Sequence, residues 1–325
     1  MNPGTKKSML RNTASRIAMA LVLAACSGLA PRDLDSSPVR PTVVTETHVI
    51  NEGVRGFAAF EGTTRTYTRA NMQRSESTVT GVGTFARIER LDRKLVWAVD
   101  EKNKRYGECP LKGCPAPIAG RASEGNSTQG GKPRDADCRL KIGSTTLTVE
   151  RTGQKRSING FDTEQYDVIW LATFRDSASR KATSALSIDL WTTPVTPVLQ
   201  AAMALEKAYA RTYNAVSGIA RDADRPLRLP VEVTMMLDSH LSQYVSPADR
   251  LNFLGSAKKL DSLKGQPIRT NVTWRFTGEA CAMDASMKQF GGRPLFTFTS
   301  EVKSYRLEAL HDSLFAPPRD YKRAK

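Results

Sequence analysis

Ile158-Asn159-Gly160-Phe161, continuing as Asp162-Thr163-Glu164-Gln165-Tyr166-Asp167-Val168-Ile169-Trp170-Leu171-Ala172-Thr173-Phe174, decides the fold class of this 325-residue chain. Asn-Gly between alternating segments is the strongest short hairpin signal, because the two-residue turn that matches strand twist needs positive φ at both central residues. After it, Tyr166, Val168, Trp170, Ala172 and Phe174 recur at period two, so one face of a strand is apolar. Upstream, Leu147 and Val149 lead to a turn at Gly153. Downstream, Leu186, Ile188 and Leu190 repeat the alternation, with Trp191 facing the other way. The same pattern spreads in both directions. Leu95, Trp97 and Val99 share a face between turn-like Asp92-Arg93 and Glu101 to Asn103; Val272, Trp274 and Phe276 alternate with polar residues; a last long strand runs from Phe296 through Val302 to Leu307. Short alternating segments broken by turn chemistry read as antiparallel sheet from Val43 onward.

Near Pro194 the period changes to about 3.6. Thr196 caps a helix, Pro197 suits its first turn, Val198, Ala201, Ala202, Leu205 and Tyr209 form its stripe, and Gly218 ends it. Ser246, Pro247 and Asp249 open a second helix that Gly265 stops, and Pro230 to Tyr244 is read as helix between them. Residues 115–135, rich in Pro, Gly and Ser, read as an exposed loop. The C-terminal stretch from Leu314 is read as extended by its prolines. Strands, then helices, then strands closing the same sheet give one α+β domain over 43–325, with a helical block at 195–264.

The N-terminus carries an address. Basic Lys6, Lys7, Arg11 and Arg16 precede a short apolar run, Ile17 to Ala25, too short to span a bilayer. Leu23-Ala24-Ala25-Cys26 resembles the box read by the bacterial lipoprotein signal peptidase. The expectation is a signal peptide over 1–25, acyl chains including an amide-linked one on Cys26, and a Pro-rich tether to residue 42. Multiple chains anchor stably where one does not. Ser27 after the cysteine resembles an outer-membrane address, facing the periplasm. Cleavage removes those four cations and no acid, leaving 44 basic and 33 acidic residues, net +11. Export removes the nucleic-acid reading that such a charge invites, and leaves anionic lipid as the abundant polyanion.

Four further cysteines, Cys109, Cys114, Cys138 and Cys281, make two disulfides in an oxidising compartment, with three connectivities open. Cys109 with Cys114 closes a short loop; Cys138 with Cys281 would close about half the mature chain and stabilise by about 4 to 5 kcal/mol on the chain-entropy model. Their spacing fits no zinc finger or ribbon, so no metal is expected. His48, His240 and His311 lie far apart in polar contexts, and no nucleophile elbow, His-Glu-x-x-His or phosphate loop appears. Asp92 with Asp100, and Asp162 with Glu164, read as turn and hairpin residues rather than paired catalytic carboxylates. The expectation is a non-enzyme without cofactor.

Ile88 through Tyr106, Val149 to Val168 with Thr152-Gly153 and Ile158-Asn159-Gly160-Phe161, Gly265-Gln266-Pro267-Ile268-Arg269, and the ending Glu301-Val302-Lys303 through Leu314-Phe315, Pro317 and Tyr321 resemble the family called domain of unknown function 4412. The 115–135 insertion, the four cysteines and a longer helical block depart from it. That family is similar to periplasmic lipoprotein carriers and their outer-membrane receptor. The resemblance implies a curved antiparallel half-barrel with helices packed on its concave side, an apolar interior that accepts acyl chains, and a lipid or lipoprotein ligand. Trp97, Trp170, Trp274 and Phe276 are the candidates for that interior. An accessory envelope lipoprotein with a filled core, acting through a protein partner, is the alternative.

Overall fold

The computed structural model describes residues 37–52, 59–112, 140–218, 260, 263–281 and 293–324. Ser37–Lys325 forms a compact unit. Among the described residues, twelve strands build one large, curved, open sheet. The N-terminal half is a meander of β1 (Val39–Asn51), β2 (Phe60–Arg69), β3 (Met72–Val79), β4 (Gly83–Arg90), β5 (Leu95–Asp100) and β6 (Arg105–Pro110). The other half is a second meander of β7 (Lys141–Ile158), β8 (Phe161–Arg175), β9 (Lys181–Thr193), β10 (Gln266–Gly278) and β11 (Phe296–His311). The halves join where β1 pairs with β11 along its whole length, from Val39 opposite His311 to Asn51 opposite Phe298. β12 (Lys322–Arg323) adds to β6 in parallel, which makes an otherwise antiparallel sheet mixed.

Local chemistry explains the turns. Asn159 and Gly160 both have positive φ, 51° and 83°, as their two-residue turn requires. Gly153 does not turn the chain as expected. It sits at φ 77° inside a bulge between Arg151 and Lys155, and β7 runs on past it to Ile158. A left-handed glycine serves a bulge as readily as a turn. The tether reading also yields at its end, since β1 begins at Val39. Residues 39–42 pair with β11 alone, and Pro41 is tolerated there because one side of the strand has no partner.

Helix α1 (Pro197–Ser217) starts and stops as its sequence dictates: the Thr196 hydroxyl accepts from the Leu199 N–H, and Gly218 closes the last turn at φ 72°. Its buried stripe is Leu199, Ala202, Tyr209 and Tyr213, which leaves Val198 57 % exposed at the edge of the first turn. α1 lies against β1, β2 and β11, with Leu199 and Ala202 on Val43 and Tyr305. Tyr209 and Tyr213 reach Leu91, Val96 and Leu111, and the Tyr209 hydroxyl donates to buried Glu89. The expected helix over Pro230 to Tyr244, all but the last residues of the second expected helix, and the 115–135 loop lie outside the described residues. The described part is mostly strand, so the α+β expectation holds only in its coarser form, a large open sheet with a helix.

The C-terminal tail is not simply extended. Asp312–Phe315 forms a 3-10 turn that seats fully buried Phe315 on Met72, Ala86, Ile88, Trp97 and Val99. Buried Arg69 pins it, donating to Thr42 Oγ1 at 2.7 Å, to the Leu310 carbonyl at 2.6 Å and to Asp312, with its guanidinium 4.6 Å from the Phe315 ring centroid.

Candidate functional site

Strand registers decide which side chains share a face. Val43 and Tyr305, under α1, define one face, and the pairings carry it through Phe298 and Val272, and through Phe296, Trp274, Leu186, Trp170 and Leu147. On that face of β7–β11 the side chains form one apolar cluster: Leu147, Tyr166, Val168, Trp170, Phe174, Leu186, Ile188, Leu190, Val272, Trp274, Phe276, Phe296 and Phe298. Leu260, Leu263, Ala280 and Leu295, from segments flanking β10, pack onto it. Phe174 and Phe276 lie with ring centroids 6.0 Å apart, and the Trp274 indole donates to Ser184 Oγ at 2.8 Å.

Three of the four residues expected on an apolar interior therefore meet. Trp97 does not join them. It pairs with Ile88 on the opposite face, under the C-terminal tail, and its indole donates to Glu108 at 2.8 Å. Trp170 and Trp274 are 3 % and 2 % exposed, and neither lines either of the two clefts described below.

The first cleft, about 570 Å³, lies on the Trp97 face and is lined by Glu46, Arg65, Arg74, Glu76 and Glu101 with threonines. Its charges are spent on each other: Arg65 pairs with Glu46, and Arg74 with Glu76 and Glu101. The second cleft, about 810 Å³, opens between the β7–β8 hairpin and the entry to β10. Arg151, Lys155, Arg156 and Lys264 line it with Asp162 and Glu164, and Tyr166 belongs both to its wall and to the apolar cluster. Arg151 and Glu164 form a two-pronged ion pair, which holds the Glu164 carboxyl below its ordinary range and raises the arginine. The Arg156 guanidinium lies 3.7 Å over the Trp191 ring. Gly265 places Lys264 at the rim. At φ 91° its Cβ would stand 2.5 Å from the Thr193 carbonyl, so a side chain there would break the contact with β9.

The remaining expected residues are placed as follows. Cys26 and the Leu23, Ala24, Ala25 recognition residues lie outside the described residues, as do Cys114, Cys138 and His240. Cys109 and Cys281 are each disulfide-bonded. His48 Nε2 lies 2.8 Å from Glu61 on the surface, and His311 Nδ1 lies 2.9 Å from the Ser37 carbonyl. Asp92 chelates Arg90, and Asp100 accepts from the Asn103 backbone and amide; these bonds hold both carboxyls low, as turn residues. Among the described residues no group of three or more His, Cys, Asp or Glu is arranged to hold a metal.

What the fold and site define is a curved sheet domain with a broad apolar face that leads into a charged cleft. Compared with known proteins, the chain matches no family model and no curated protein.

Proposed function

We propose that the chain is a lipid-anchored bacterial envelope protein, held by acyl chains on Cys26 at the periplasmic side of the outer membrane, whose sheet domain binds an amphiphile. The ligand is a lipid or the acylated end of another lipoprotein. The observation that carries this reading is the continuity at Tyr166, where a face of large apolar side chains spanning five strands passes into an open cleft with cations on its rim. An amphiphile needs that junction: an apolar stretch for its chain, whose transfer from water is worth about 0.8 kcal/mol per buried CH₂, and a polar mouth for its head. In the finer form of the reading, the sheet is a half-barrel, and α1 lies on its concave side and acts as a lid. The resemblance to the lipoprotein-carrier superfamily supports the same reading.

The burial of Trp170 and Trp274 favours a second one, in which the apolar face is filled by the chain's own side chains and the protein acts through a protein partner. Native mass spectrometry of the chain purified from the envelope with its disulfides intact separates the two. A discrete lipid adduct, lost in a lid-side variant, is expected. A bare mass together with no brightening of an apolar dye favours the filled-core protein.

A further inference from the structure

The geometry points to the cleft between the β7–β8 hairpin and the start of β10 as a binding site for a phosphoryl group. Once Arg151 and Glu164 have neutralised each other, the wall keeps Lys155, Arg156 and Lys264 against Asp162 alone. None of these three cations forms a close ion pair among the described residues; Lys155 faces Glu164 across the β7–β8 ladder, but Arg151 takes both of that carboxylate's oxygens. They come from two elements more than a hundred residues apart in sequence and are brought to one mouth by the β8–β9–β10 pairings. With four cations against two carboxylates around a concavity of about 810 Å³, the mouth carries a local surplus of positive charge that an anion relieves.

Their chemistry narrows the anion. Stacking on Trp191 fixes the plane of the Arg156 guanidinium and leaves its in-plane N–H groups to a multi-oxygen acceptor. Two lysines add point charges, and the hydroxyls of Ser157 and Thr192 add donors. A tetrahedral phosphoryl group has oxygens enough for donors arriving from several directions, where a carboxylate has two. The position of Tyr166 gives the site its second meaning. If the proposed function holds, the phosphoryl group is the head of an amphiphile whose chain runs onto the Trp170 face. If it does not, the same donors serve a soluble phosphate.

The test is calorimetric titration of the full chain, in phosphate-free buffer, with three probes: oleoyl lysophosphatidic acid below its micellar concentration, monooleoylglycerol, and inorganic phosphate. The K155Q/K264Q double variant removes two exposed charges without touching the core, and Arg156→Lys keeps charge while removing the planar donor. Lysophosphatidic acid is expected to bind about tenfold or more tighter than monooleoylglycerol, the weight of one charge-assisted hydrogen bond. The preference is expected to vanish in K155Q/K264Q while monooleoylglycerol binding stays, and to shrink in Arg156→Lys. Equal affinity for the two lipids in the unaltered chain overturns the phosphoryl site and leaves the amphiphile reading standing. Binding of inorganic phosphate but of neither lipid, lost in K155Q/K264Q, sustains the site and overturns the amphiphile reading. Binding of no probe overturns both.

Discussion

In the β1–β6 half the apolar side chains divide between the two faces, Met72, Ala86, Ile88, Trp97 and Val99 under the C-terminal tail and Val43, Leu91, Val96 and Leu111 under α1, whereas in the β7–β11 half one large cluster covers the face that α1 shares. On the α1 side of β2 and β3 the residues are Thr64, Thr66, Thr68, Gln73, Ser75 and Ser77, joined by hydroxyl and amide contacts such as Thr64 to Ser77 at 3.0 Å. One continuous sheet thus has two small apolar clusters on opposite faces of one half and a single broad one in the other. The narrow half is closed on one face by the 3-10 turn carrying Phe315 and on the other by α1. The broad half has twenty buried residues in its cluster and draws its cover from segments on both sides of β10. The two halves have different kinds of core, one split into small clusters sealed by the tail and by α1, the other roofed by segments flanking β10.

Mutations can break or sharpen that contrast. Trp274→Ala, in the roofed half, is expected to have the largest effect, costing about 4 kcal/mol in denaturant unfolding, because it empties a 2 % exposed site and orphans Ser184 Oγ. Phe315→Ala is expected to cost about 3 kcal/mol and to make the tail beyond His311 a protease target while the apolar cluster of β7–β11 stays protected from hydrogen exchange. If both halves lose protection together, the two cores are one cooperative unit. Tyr209→Phe removes the donor to Glu89, whose side chain is 5 % exposed, and is expected to cost about 1 to 3 kcal/mol by leaving a buried carboxylate short of a partner.

The smallest effect is a gain. Asp167 lies between Asp189 and Glu150 on the face away from α1, and burial, with those two charges, raises its carboxyl above the ordinary range. Asp167→Asn is expected to stabilise by about 0.5 kcal/mol at neutral pH, where like charges stand opposite one another. A raised acid is penalised above its folded value, so the gain fades as pH falls through that value and is gone below the ordinary aspartate range. A gain that persists in acid would mean that burial and charge are not its cause. Denaturant midpoints of both proteins across pH measure it.

Much of this was legible in the sequence. Asn159-Gly160, the Thr196 and Gly218 caps and the period-two runs of β5, β8, β9 and β10 each rest on local physics, and the structure follows them. Trp97 was misplaced because alternation within a strand does not say which face a distant strand turns inward. That depends on every register between them, and a single bulge such as the one at Glu46/Thr47, where Lys303 is left unpaired, shifts the parity. The cleft is not legible in the sequence for a related reason. Lys155, Arg156 and Lys264 are unremarkable surface cations until β9 and β10 bring them together, and the one local clue was Gly265 beside Lys264, read as a helix stop.

The β1–β11 seam sets an order of events. Among the described strands, the first to leave a ribosome, β1, pairs at the centre of the sheet with the late strand β11, so each meander waits with an open edge until β11 has been made. Contacts of that sequence separation make for slow, late closure.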